Sequence, residues 1–155
     1  FLCVEKDFDF IIAEKPYDAW IGTTRLTRLN QGDVFGDGKV SITYTGPNSL
    51  YSLNLNNFSY EGAAHAADRG IIDIENYPYE DYKNRFQLLM NVTGTNSIVG
   101  RNNTFSGISA GSNNGTFSLN GTGSLSISGC NYGIYMSNGN NWWFTRAANK
   151  TPKCK

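Results

Sequence analysis

Short runs of alternating apolar and polar residues, punctuated by Gly and Asn, fill the chain from about residue 40 onward. A period of two places alternate side chains on opposite faces of an extended strand, so these runs predict β-strands rather than helices. The strand candidates from residue 46 onward fall into three sets. The last is Ser124–Ile127, Gly133–Met136 and Trp142–Thr145, and the one before it is Asn96–Val99, Gly107–Ala110 and Thr116–Leu119, at offsets of 28, 26 and 26 residues. A looser first set is Leu50–Asn57, Gly70–Ile74 and Phe86–Met90, widened by the insertion Asn76–Arg85. One segment predicts a short helix: Gly62–Gly70, rich in Ala and closed by glycine, read as a loop insertion.

A longer repeat underlies the sets. The stretch Met90-Asn-Val-Thr-Gly-Thr-Asn-Ser-Ile-Val-Gly100 recurs as Leu119-Asn-Gly-Thr-Gly-Ser-Leu-Ser-Ile-Ser-Gly129, with six of eleven positions identical at an offset of 29. Self-similarity at such a period marks one supersecondary unit stacked on the next. Three short strands per unit with Gly or Asn at the corners predict an all-β fold, a short three-coil parallel β-helix with a β-rich N-terminal cap. Ile98 is then expected to stack on Ile127, Ile108 on Ile134 and Phe117 on Phe144. An antiparallel β-sandwich is the alternative, since it also has many short strands. The 155 residues are read as a single domain: cap 1–45, coils 46–146, tail 147–155.

Charge narrows the function classes. Thirteen basic and thirteen acidic residues balance, and no run of like charges occurs, so the electrostatic footprint of nucleic-acid binding is missing. No apolar run approaches the ~18 residues of a membrane-spanning helix, and no charged-then-apolar leader is read at Phe1. Cys3, Cys130 and Cys154 lack metal or redox-motif spacing. Cys130 with Cys154 is the favoured disulfide if the protein is secreted, and three unpaired thiols are the alternative. Asn-x-Ser/Thr sequons stand at Asn57, Asn91, Asn102, Asn114, Asn120 and Asn149, possible glycosylation sites where the source modifies them.

Tyr17–Thr27, running through Arg28–Phe35 to Gly36–Ser41, and then Asn48–Asn57 form a leader pattern. Asn120–Gly129 and Gly133–Gly139 follow as coil signatures. Together they resemble secreted bacterial repeat proteins labelled as carbohydrate-binding-domain-containing, which continue into a right-handed parallel β-helix. The resemblance spans about Tyr17 to Phe144. It implies that fold and a sugar-binding role, and brings no defined set of binding residues. Departures are the Ala63–Arg69 segment, the Tyr-rich insertion and the short stack.

Catalysis on the coils is disfavoured because Asn96–Thr145 contains no Asp or Glu, and glycosidases need a carboxylate pair. The acidic residues of the first coil are Asp68, Asp73, Glu75, Glu80 and Asp81; Asp73 and Glu75 share a strand face, read as a solvated edge over a weak cation site. Asp33 and Asp37, beside Gly36 and Gly38, read as a β-turn rather than a cation loop. The sole histidine, His65, has no partner at diagnostic spacing and reads as a surface helix residue.

No catalytic residue, metal or cofactor is assigned. Sugar rings stack on exposed aromatic planes, so Tyr77, Tyr79, Tyr82, Trp142 and Trp143 are the glycan-binding candidates, with capping of the coil ends as the competing role. The expected partner is a polysaccharide or surface glycan, bound by a non-catalytic module outside the cell or at its surface. The alternative is a structural subunit that self-associates through its coil ends, with Phe8, Phe10, Ile11 and Ile12 as the assembly segment. A polysaccharide lyase or hydrolase is a distant third.

Overall fold

The structure is a computed structural model and describes residues 16–45, 50–75, 86–111, 114–137 and 141–146. Eleven strands are present among these residues: β1 Pro16–Ile21, β2 Thr24–Thr27, β3 Val40–Thr45, β4 Leu50–Asn56, β5 Ser59–Gly62, β6 Gly70–Glu75, β7 Phe86–Thr93, β8 Thr95–Gly111, β9 Asn114–Gly121, β10 Ser124–Ser137 and β11 Asn141–Arg146. They form two curled, mixed sheets. Sheet A has the order β10-β8-β6-β1-β2, with β5 also paired to β8, and sheet B the order β11-β9-β7-β4-β3. From β4 onward the chain passes back and forth between the sheets, and each return lays a strand parallel to the one before it. Antiparallel pairing is confined to β1, β2 and β3, which does not match an antiparallel sandwich.

The repeat is visible as register. Ile98 pairs with Ile127, Ile108 with Ile134 and Phe117 with Phe144, as the sequence offsets require. Met90 is opposite Leu119 and Thr95 opposite Ser124, so the 29-residue offset persists around the corner between the sheets. It then drops: Val99 pairs with Ser128 but Thr104 with Cys130, a change from 29 to 26. The three surplus residues of β8 lie at a corner where Asn103 adopts φ 57°. There β8 turns from its β5 partner to its β6 partner, one continuous strand where two were expected.

Alternation fills the interior. Leu53 and Leu55 of β4 are buried while Asn54 and Asn56 are exposed, and Leu88, Met90 and Val92 of β7 continue the same rows. Ile72 and Ile74 of β6 and Ile98, Ile108 and Ala110 of β8 face them in one core that also includes Ala19, Ile21, Leu26, Val40 and Ile42. Each fully buried Leu, Ile or Met contributes roughly 1.5–3 kcal/mol. Polar residues are buried as well, among them Asn96, 0% exposed. Its Oδ1 accepts from Phe58 N at 2.8 Å, and its Nδ2 donates to Thr93 O at 3.0 Å and Ser124 O at 3.1 Å, tying three successive passes of the chain together.

Three expectations are corrected. Residues 62–70 form no helix: a single Ala66–Arg69 turn is followed directly by β6, because one turn of alanines cannot repay helix nucleation. Leu50–Asn57 does not share a round with Gly70–Ile74 and Phe86–Met90. β4 stacks under β7 in sheet B, and the missing member of the round is the four-residue β5. Ile134 was expected in the core, yet it is 38% exposed, because β10 ends sheet A with no described strand beyond it.

The end formed by β2 and β3 is built otherwise. The carboxamide of Asn30 imitates a strand, its Oδ1 accepting from Thr27 N at 2.8 Å and its Nδ2 donating to Arg25 O at 3.0 Å along the outer side of β2. Ile42 N donates to Gln31 O at 2.8 Å and Val34 N to Val40 O at 2.9 Å along β3. The segment 30–34 thereby covers part of the outer edge of each sheet.

Candidate functional site

The outward side of sheet A carries the densest group of interacting polar and aromatic side chains among the described residues. Trp20 of β1 is opposite Asp73 of β6, Asp73 opposite Ser109 of β8, and Ser109 opposite Tyr135 of β10. Register partners share a face, so these four form one row across the strands. The loop 63–69 covers its middle.

Asp73 was expected as a solvated edge and is instead fully buried. Ser109 Oγ donates to Oδ1, and His65 Nε2 lies 2.9 Å from Oδ2. Ser109 Oγ in turn accepts from Gly70 N at 2.8 Å. His65 is therefore no surface helix residue: its ring is half-buried, 4.2 Å from that of Trp20, and Trp20 also carries Arg25 above it at 5.0 Å. Arg25 is held by Asp18 at 3.4 Å.

Burial sets the protonation of the pair. Desolvation lowers His65 below its ordinary value, with the Asp73 charge pulling the other way and Arg69 adding to the lowering. Desolvation also raises Asp73, against the Ser109 hydrogen bond and the charges of Arg69 and His65. The lowered value favours a neutral imidazole, which can donate from Nε2 to Asp73 Oδ2. The arrangement is not a hydrolytic triad. Ser109 hydrogen-bonds to the carboxylate and to Gly70, not to the imidazole, so no base is placed to activate its hydroxyl.

At the β10 end of the row the character changes. Phe105, Tyr132 and Tyr135 form an aromatic group, with ring centroids 5.2 Å (Phe105–Tyr132), 4.7 Å (Phe105–Tyr135) and 5.6 Å (Tyr132–Tyr135) apart, and Tyr132 is 51% exposed. Exposed Asn103 and Asn131 lie two residues from Phe105 and one from Tyr132 in sequence. A second stack comprises Phe35, Phe58 and Tyr60, of which Phe58 is buried.

The remaining candidates are placed as follows. Trp142 and Trp143 lie on β11, in register with Gly115 and Thr116. Tyr77, Tyr79, Tyr82, Glu80 and Asp81 lie outside the described residues, as do Phe8, Phe10, Ile11, Ile12, Asn149, Cys3 and Cys154. Cys130, half-buried, has its Sγ 3.5 Å from Ser128 O, and burial raises its thiol. Among the sequons, Asn57 is exposed at a corner (φ 52°) but its Oδ1 accepts from Thr95 N. Asn91 donates to Asn54 Oδ1 at 2.9 Å, Asn120 is its register partner on β9, and Asn102 and Asn114 lie on β8 and β9. Asp33 is a turn residue, accepting from Asp37 N and Gly38 N.

The aromatic group and the buried pair went unread in the sequence because their members come from separate strands and a loop. The one available signal was that Tyr132 and Tyr135 sit in a run without charge. No group of His, Cys, Asp and Glu suited to a metal ion occurs among the described residues, and no described helix is long and apolar enough to cross a membrane. Comparison with protein-family models, curated proteins and solved structures finds no match to this chain.

Proposed function

We propose that this chain is a non-catalytic glycan-binding module of an extracellular or cell-surface protein, built on a short parallel β-helix. The solenoid reading is supported by the parallel returns of the chain and by like residues meeting in register at 26–29 residues. It agrees with the resemblance to secreted repeat proteins. The glycan reading is carried by one observation: the Phe105–Tyr132–Tyr135 group, partly open to solvent, on a stretch where residues 102–145 hold no charged side chain. Aromatic planes stack on the C–H faces of sugar rings, and neighbouring Asn and Ser groups supply donors and acceptors without selecting for charge. A neutral polysaccharide is the matching ligand.

The test is retention on a panel of insoluble neutral polysaccharides and a glycan array. The native chain is expected to be retained by at least one neutral glycan, and Tyr135→Ala to weaken that retention about tenfold or more with an unchanged circular-dichroism spectrum. Retention that Tyr135→Ala and Tyr132→Ala both leave intact, or a flat array, would overturn the reading.

A further inference from the structure

Sheet A ends on β10, a strand of 14 residues that pairs only with β8 among the described strands. Half of its backbone N–H and C=O groups point away from β8, and exposed edges of this kind are ordinarily blunted by lysine, proline or a covering segment. Ser124–Ser137 contains no lysine, no proline and no charge. At the other end of the stack, the segment 30–34 already occupies Arg25 O and Thr27 N of β2 and Val40 O and Ile42 N of β3. An incoming β10 edge would have to displace this segment, which disfavours head-to-tail addition.

The edge does match itself. The midpoint of β10 falls between Cys130 and Asn131. Counted outward from that point, Ile127 and Ile134 stand at equal distances, and so do Leu125 and Met136. Ile127, Ile134 and Met136 take Ile98, Ile108 and Ala110, all buried, as register partners, and Leu125 takes the buried Asn96. An antiparallel pairing of two β10 strands about a two-fold axis through the midpoint therefore sets Ile127 opposite Ile134 and Leu125 opposite Met136, twice over. It extends the row of core residues from one copy into the other and covers Ile134, the core-row residue left 38% exposed.

We infer that two copies of this chain associate open end to open end through antiparallel β10 strands, forming a closed dimer and not a filament. The two-fold consumes both open edges of sheet A and leaves the sealed ends outward, so growth stops at two. This does not depend on the glycan reading, because edge pairing leaves the faces of the sheet free.

Sedimentation equilibrium of the full chain over a wide concentration range tests the inference, together with amide hydrogen exchange at two concentrations. The expected result is a monomer–dimer equilibrium with no larger species, and protection of β10 amides that rises with concentration. Ser128→Lys with Asn131→Lys, both at exposed positions near the midpoint, brings like charges together across the axis. This variant is expected to remain monomeric while its protection in β4, β7 and β8 stays native. Oligomers that keep growing, a monomer at the highest soluble concentration, or β10 protection independent of concentration, the sign of a covering segment from the same chain, would each overturn the proposal.

Discussion

Where β2 and β3 end the sheets, Asn30, Gln31 and Val34 take up outward backbone groups, and Arg25, Arg28 and Lys39 place charge at the rim. On the opposite side, β10 ends sheet A with neither device. The open end is made of strands returning parallel and in register, whereas the sealed end is antiparallel, so the two differ in pairing as well as in what covers them. The sealed end uses the twelve residues between β2 and β3 to satisfy hydrogen bonds that a further strand would otherwise provide. The open end keeps the repeat pattern up to its last strand. A repeat left unaltered remains competent to be continued, whether by its own chain or by another.

Mutations sort by which of these regions they weaken. The largest effect is expected where the two are joined: Asn96→Ala removes an internal carboxamide that bonds to Phe58 N, Thr93 O and Ser124 O, leaving buried backbone groups without partners. A loss of about 2–4 kcal/mol in urea unfolding is expected, with β10 losing exchange protection before β4. Unsealing the other end is milder. Asn30→Ala should cost about 1 kcal/mol by the same measurement, and should convert a species that stops at two copies into one that grows, because the β2 edge becomes an acceptor.

The smallest effect concerns pH. His65 in the folded chain holds its proton less tightly than the ordinary value of 6.5, so the contribution of its neutral form is complete above that value and is lost as pH falls below it. The buried Asp73 carboxylate has the opposite sign: its folded value is raised, its burial is costly at neutral pH, and that cost is relieved in acid as it takes up a proton. Stability should therefore decline from about pH 7 into the range just below 6.5 and level off in acid. In His65→Gln the first decline should be absent from pH-dependent thermal melts, whereas a slope unchanged from the native chain would show that His65 does not govern it.

Register was the legible part of this fold. Stacked positions must accept each other's side chains, so Ile98 with Ile127 and Phe117 with Phe144 were recognisable as like residues at fixed offsets. β5 was missed because Ser59–Gly62 is only four residues long and Tyr60, not an aliphatic residue, stands in the row of Ile98. The Asp73–His65–Ser109 network was illegible for a different reason. Its geometry depends on a loop folding back over a strand, and nothing in the local pattern of Gly62–Gly70 states where that loop will lie. Asn30 falls in the same class, because nothing in its local sequence states that its carboxamide will bond along a strand edge.

The three surplus residues at Arg101–Asn103 carry one more consequence. They sit between two stretches of β8 whose pairing with β10 is regular on both sides, and they change the spacing from 29 to 26 without disturbing either stretch. Arg101 reaches across to Glu61 at 2.9 Å, outside the core. This corner thus accommodates three more residues in β8 than in β10, which marks it as the place to graft a peptide loop for display with the pairing on either side kept in register.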